Sequence, residues 1–394
     1  MRKQKTKRSM MGISLLAVMG ITLLAPGAGM NEVNATSTPS DAGIEAVAAT
    51  MPSDTEIEAV AATMPSDTEI EENEASAPSD LELMNAAPVE INSTAFPDDV
   101  FREWVKDNCD KNSDGYLSAD EMLQCTDIAV IQKQITSLKG IELFPQLTKL
   151  QCSDNELSSL DVSKNTALMH LICYKNELSS LDVSKNTALL TLRCEFNNIS
   201  SLDVSKNTAL TVLLCGRNEI SSLDMSNNIK LESLFCDYNQ LSSLDVSNNT
   251  ALAYLYCGDN EISGLDVSKN TELLYLYCDQ NKLSSLDTSQ NIELMNLSCS
   301  NNQIRSLDVS KNIELEQLFC ENNEISSLDV SKNTALEMLG CSYNKLSSLD
   351  VSKNAALLYL NCSYNKLNSL DVTNCSFIDF AYEGNNPDME LIGY

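Results

Sequence analysis

The sequence predicts a leucine-rich repeat solenoid: a curved stack of coils with a parallel β-sheet on its concave face, short turns or 3-10 segments on its convex face, and a helical cap in front. Three observations carry this. Eleven consecutive 21-residue copies run from Leu147 to Phe377, each opening on Leu, with Leu three residues on and Cys five on. Asn recurs eight residues into each copy, from Asn155 to Asn365, and Leu-Asp recurs at offsets thirteen and fourteen, from Leu160-Asp161 to Leu370-Asp371. A fixed period of this length marks a solenoid, in which one unit cannot bury its apolar face alone and stacking supplies the core.

In chain order, residues 1–35 read as a secretory signal peptide. Arg2, Lys3, Lys5, Lys7 and Arg8 precede an apolar run from Met10 to Ala25, and a cleavage point follows Val33-Asn34-Ala35. No Cys precedes Cys109, so lipid attachment at an N-terminal Cys is not expected. Residues 36–90 lack aromatics, are rich in Ala, Ser, Thr, Glu, Asp and Pro, and duplicate IEAVAATMPSDTE at Ile44–Glu56 and Ile57–Glu69. Such a composition buries too little apolar area to offset chain entropy, so this stretch is expected to be a disordered acidic linker.

Residues 91–146 read as an α-helical, EF-hand-like N-terminal cap followed by a degenerate first coil. Phe96, Phe101, Trp104 and Val105 fall at helical spacing around Pro97-Asp98-Asp99. The segment DKNSDGYLSADE follows at Asp110–Glu121. Asp110, Asn112, Asp114, the carbonyl of Tyr116, Ser118 and Glu121 stand at the spacing that gives a hard cation six or seven oxygens, and Gly115 sits where the sharp turn is needed. One structural calcium ion is therefore expected. Cys109 and Cys125 flank this loop, and spacing alone does not decide whether they bridge. Ile135, Leu138, Ile141, Phe144 and Leu147 recur every three residues, as a coil that covers the open end of the repeats requires.

Within a repeat the strand alternates with period two, so Leu192 and Cys194 point inward while Thr191, Arg193 and Glu195 point outward. Asn at the eighth offset is expected to satisfy turn backbone between coils, which makes Asn239→Ala costly. The in-phase Cys from Cys152 to Cys362 are expected to be buried free thiols, because in-register side chains on parallel strands do not reach disulfide geometry. The Asp at the fourteenth offset is expected to accept backbone N–H groups of the following turn. Cys375 stands where an eighteenth-offset Asn is due, and Phe377, Ile378, Phe380 and Tyr382 supply apolar residues for a C-terminal cap at 378–394.

The outward strand positions are free of the repeat's demands, and there the sequence places Phe235, Tyr254, Tyr256, Tyr275 and Tyr277, with Phe319 beyond a gap. Asp237, Tyr238, Asp259 and Asp279 surround them. With their ring faces exposed to solvent, these residues are the candidate ligand-binding surface. The formal charge of −30 argues against nucleic acid and anionic membranes as partners, and a single His170 leaves no material for His-based metal or nucleophile chemistry. No nucleophile elbow, phosphate loop or convergent carboxylate pair occurs, so an enzyme is not expected.

The repeat LxxLxCxxNxLxxLDVSxNTA, with Cys in the strand, and the cap before it resemble the internalin family of Gram-positive surface proteins over about residues 91–377. The resemblance implies a secreted or surface protein that binds a protein or glycan on a host or neighbouring cell through the concave face. We expect an extracellular, adhesin-like monomer, not inserted in a membrane after signal cleavage. No LPxTG wall-sorting sequence follows Phe377, so any hold on the cell surface is expected to be loose. The competing class is a secreted inhibitor or effector that engulfs a basic target enzyme.

Overall fold

The computed structural model describes residues 87–375, 379–385 and 389–393. The signal peptide read at 1–35, most of the linker read at 36–90, and Phe377 and Ile378 of the closing coil lie outside them.

The cap opens with a two-residue strand β1 (Val89–Glu90), which pairs antiparallel with β2 (Tyr116–Leu117). Between them runs helix α1 (Asp99–Asn108), started by Asp98, whose Oδ1 accepts the N–H groups of Val100 and Phe101 at 3.0 Å each. Its apolar stripe, Phe101 and Val105, is buried, and Phe101 meets Phe96 edge to face at 5.8 Å. Helix α2 (Ala119–Gln124) starts on a capping box between Ser118 and Glu121. A Cys109–Cys125 disulfide, Cα to Cα 5.7 Å, ties the ends of the two helices and answers the question the spacing left open. The cap is pinned to the first coil by Asp98, whose Oδ2 accepts the Thr136 N–H at 2.9 Å.

The repeats form one thirteen-stranded parallel sheet. It begins at β3 (Asp127–Ala129), continues from β4 (Lys149–Gln151) at 21-residue intervals to β14 (Tyr359–Asn361), and ends at β16 (Asp379–Ala381). From β4 to β14 each strand residue pairs with the one 21 positions on, as Tyr254 with Tyr275, and the end strands pair at 22 and 20 positions, as Asp127 with Lys149 and Tyr359 with Asp379. The Leu that opens each copy, the strand Leu and the Cys are buried to within 1 %. The Cys residues of the ladder are free, and burial holds their thiols above the ordinary range, Cys152 at about 12.

Two rows of Asn bind coil to coil. At the eighth offset, Asn239 donates from Nδ2 to the carbonyl of Cys215 in the previous coil and of Cys236 in its own, both at 3.1 Å, and its Oδ1 accepts the Ile220 N–H at 2.9 Å. At the eighteenth offset, Asn249 donates to Met225 O at 3.0 Å and Asn228 O at 2.9 Å. On the convex side the chain makes turns, and each Asp of the fourteenth-offset row accepts the N–H two residues on at 2.9 Å, as Asp161 does from Ser163. Strand β15 (Ser369–Asp371) pairs with β17 (Glu390–Ile392) to close the C-terminal end.

Candidate functional site

The outward positions of the strands lie at the second and fourth offsets, and in the middle coils they carry rings. In-register strands put equivalent side chains about 4.8 Å apart, close to the stacking distance of aromatic rings. Phe235 stacks on Tyr256 at 4.1 Å and Tyr256 on Tyr277 at 4.5 Å; in the second row Tyr254 stacks on Tyr275 at 5.1 Å. The expectation that these ring faces are open to solvent is therefore corrected. Each ring covers the next, leaving Phe235 and Tyr256 only 3 % exposed and Tyr277 7 %, and Tyr254 alone of the five is more than marginally accessible. Phe319 is also buried and stands apart from this stack, with Ser298 occupying the intervening coil.

Beside the rings, from the third coil to the ninth, the sixth offset carries an acid in alternate coils: Glu195, Asp237, Asp279 and Glu321, with Gly216, Gly258 and Ser300 between them. The small residues make room, since a Cβ on Gly216 would lie 2.7 Å from Oδ1 of Asp237. Burial pushes Asp237 and Asp279 up to about 6 and Glu321 up to about 7. Asp279 accepts from Ser298 Oγ and from the Ser300 N–H at 3.0 Å, and Glu321 accepts from Ser300 Oγ at 2.5 Å. Glu195 sits in a buried ion pair with Arg193 at 2.7 Å.

The structure also brings in residues that the outward-strand reasoning passed over. The seventh-offset position, one turn beyond the strand, has positive φ in every coil from Asp154 to Tyr364. It carries Lys175, Phe196, Arg217, Tyr238 and Asp259 in succession, which places the predicted Tyr238 and Asp259 in this row. Arg217 lies between two rings, 4.9 Å from Phe196 and 4.0 Å from Tyr238, and Lys175 stands 5.4 Å over Phe196. At the far end Tyr343 stacks on Tyr364 at 4.3 Å, the two 50 % and 46 % exposed. The signal for this row was in the sequence: a turn position where Gly or Asn fits best carries bulky and charged residues instead.

In the cap loop, Asp110 accepts the N–H groups of Asp114 at 3.2 Å and Gly115 at 2.9 Å, and Asn112 Oδ1 accepts that of Asp114 at 2.9 Å. Gly115 takes φ 85° at the tight turn. Glu121 Oε1 accepts from Lys111 at 2.8 Å and its Oε2 from Ser118 N at 2.8 Å. Tyr116 turns its ring out to solvent and shares β2 with Leu117. Among the described residues no three His, Cys, Asp or Glu side chains are drawn together as a ready metal cluster. The loop oxygens rest on its own N–H groups, an arrangement in which Asp110 and Asn112 keep free lone pairs for a hard cation.

No protein-family model and no curated protein sequence matches the chain. Solved structures do. The functional domain of InlJ from Listeria monocytogenes, described as including a cysteine ladder, is 31 % identical with a TM-score of 0.67, over 78 % of this chain and 72 % of that one. InlF from Listeria monocytogenes is 22 % identical with a TM-score of 0.63, over 76 % of this chain and 99 % of that one. A leucine-rich repeat protein of Leptospira interrogans is 23 % identical with a TM-score of 0.58, over 64 % of this chain and 74 % of that one. The last two bear on the fold alone. The repeat, the Cys ladder and the likeness to InlJ together place this chain in the internalin family of leucine-rich repeat proteins.

Proposed function

We propose that this protein is secreted and binds a protein ligand of a host or neighbouring cell through its sheet face, in an adhesin-like role. One observation carries the reading. The positions that hold the solenoid together repeat from coil to coil, whereas the second, fourth, sixth and seventh offsets differ, and all of these differing positions fall on one continuous face. Repeat proteins concentrate function where the repeat leaves residues free. Family membership agrees, since proteins of this fold typically act by binding other proteins. The N-terminal basic and apolar layout supports export, and no helix among the described residues is long and apolar enough to cross a membrane.

The test is binding of the purified protein to a panel of cell-surface proteins, mucins and free glycans, beside a Tyr238→Ser, Tyr254→Ser variant. These two residues retain accessible surface, so the change reaches the ligand without removing the most buried rings. Binding to a panel protein that falls tenfold or more in a variant of unchanged melting temperature supports the reading. Capture of glycans alone would replace the ligand class, and binding indifferent to the variant would move the site off this face.

A second reading, a secreted inhibitor that engulfs a basic enzyme, is favoured by the acids Asp237, Asp279 and Glu321 on the same face. Tight capture of a soluble basic enzyme, with loss of its activity, would establish it. We also read the cap loop as a structural calcium site held by Asp110, Asn112, Asp114, Tyr116, Ser118 and Glu121.

A further inference from the structure

The sheet face is electrically polarised along the solenoid. Its basic residues at the second, fourth, sixth and seventh offsets are Lys149, His170, Lys175, Arg193 and Arg217, all in the first four coils. From the fifth coil to the eleventh these offsets carry no Lys, Arg or His, and they hold Asp237, Asp259, Asp279 and Glu321, against Asp154 and Glu195 in the first four coils. Of the 26 Lys and Arg in a chain of net charge −30, those at these offsets all fall at one end of the face.

The cationic end has a built receptor. Arg193 is spent on its buried partner Glu195. Arg217 differs: it is exposed, lies between the rings of Phe196 and Tyr238, and forms no ion pair among the described residues, although Asp237 and Asp259 stand near enough to feel its charge. Its φ is 54° and those of its ring neighbours are 54° and 49°, the left-handed state that the turn takes at this offset in every coil. Because the turn recurs in register, three successive coils set ring, guanidinium and ring in a row. A guanidinium clamped in this way has lost little freedom still to lose, and its donor edge matches a carboxylate in two parallel hydrogen bonds. At the acidic end the situation is inverted. Burial presses Asp279 and Glu321 toward neutrality, and neither has an ion-pair partner among the described residues. An ammonium or guanidinium from outside would supply the missing countercharge.

Resting on the reading that this face binds the ligand, we propose that the ligand is an extended polypeptide laid along the coils in one direction, a carboxylate on Arg217 and a basic side chain over Asp279. Those two residues lie three coils apart, about 14 Å, which an extended chain covers in about four or five residues. Neutral glycans would leave both ends of this dipole unanswered, and uniform polyanions would be repelled by its acidic half.

Panning the full chain against a random dodecapeptide library tests this. The expected outcome is a consensus with an acidic and a basic residue four or five positions apart, whose affinity falls tenfold or more in Arg217→Glu and, separately, in Asp279→Asn. A peptide with its acidic residue changed to Lys should regain binding on Arg217→Glu, which a merely unfolded variant would not permit. Peptides without a charge pattern, charged peptides indifferent to Arg217→Glu, or no enrichment at all would overturn the proposal. Selected peptides that lose binding in Tyr238→Ser, Tyr254→Ser but not in Arg217→Glu would leave the face as the binding site and remove only its polarity. Peptides indifferent to every variant would remove both.

Discussion

One amide group at Asn239 serves two coils at once, and its removal leaves one backbone group stranded. Asn239→Ala frees the N–H of Ile220, which the turn shelters from water, while the carbonyl of Cys215 keeps its bond from Asn218 Nδ2 at 3.1 Å. We expect a loss of about 1–3 kcal/mol in denaturant unfolding, at one unsatisfied group; an unchanged midpoint would show that water replaces the amide. This role was legible from an Asn of constant offset, because a turn between parallel strands leaves N–H groups that only a short amide reaches. The second row, Asn165 to Asn354, was visible as a repeat but not as a device. Its role depends on carbonyls brought close by the convex turns, and sequence spacing does not show them. The structure also explains one departure from the repeat. Thr288 stands where most copies carry Val, and its Oγ1 donates to Asn312 Oδ1 at 2.9 Å, whereas the same atom of Asn291 has no partner. At Arg217 and Tyr238 the sequence showed large side chains at a turn, but not that stacking would lock them, since that requires knowing that equivalent turns lie one strand spacing apart.

At the scale of elements, strand direction and stacking were legible, and exposure was not. Period-two alternation correctly sends Tyr254, Tyr256, Tyr275 and Tyr277 outward. It says nothing of what the next coil places alongside, and identical rings 21 residues apart cover one another. The cap shows the same division. Asp98 and the Phe96–Phe101 spacing announced helix α1, while the partnership of Asp98 with Thr136, 38 residues away, is tertiary. The cap loop yields a prediction at this scale. Glu121 would be held by its hydrogen bonds from Ser118, Asn112 and Lys111, which outweigh the upward push of burial and keep its carboxyl below the usual range, hence charged at neutral pH. A charged, preplaced closing ligand favours calcium. Calcium at a hundred times its dissociation constant should then stabilise the fold by about 2.7 kcal/mol, read as a calcium-dependent rise in melting temperature. Glu121→Gln retains a side chain able to complete the capping box and should abolish the calcium-dependent rise. If wild type shows no rise either, the loop is a metal-free turn.

Over the whole molecule, two populations of carboxylate pull stability in opposite directions with pH. The convex row from Asp161 to Asp371 is held below the ordinary 3.8 by hydrogen bonds from the Ser or Thr two residues on. Its contribution is present above that value and is lost as pH falls through the lowered range. On the sheet face, burial raises Asp237 and Asp279 to about 6 and Glu321 to about 7. These groups keep protons in the folded state that the unfolded chain has already released. Their contribution is therefore full at low pH and is lost as pH rises through about 6 to 7, while the mounting negative charge adds self-repulsion. The two trends cross in mildly acid solution, so the melting temperature should peak near about pH 5 and decline by several degrees toward pH 8. Asp279→Asn removes one of the opposing groups while keeping an acceptor for Ser298 and Ser300, and it should flatten the alkaline side of the curve without moving the acid side. A melting temperature that climbs steadily from pH 5 to pH 8 would mean that these acids are solvated as ordinary surface groups, and the sheet face would then hold no reserve of uncompensated charge for a basic ligand to neutralise.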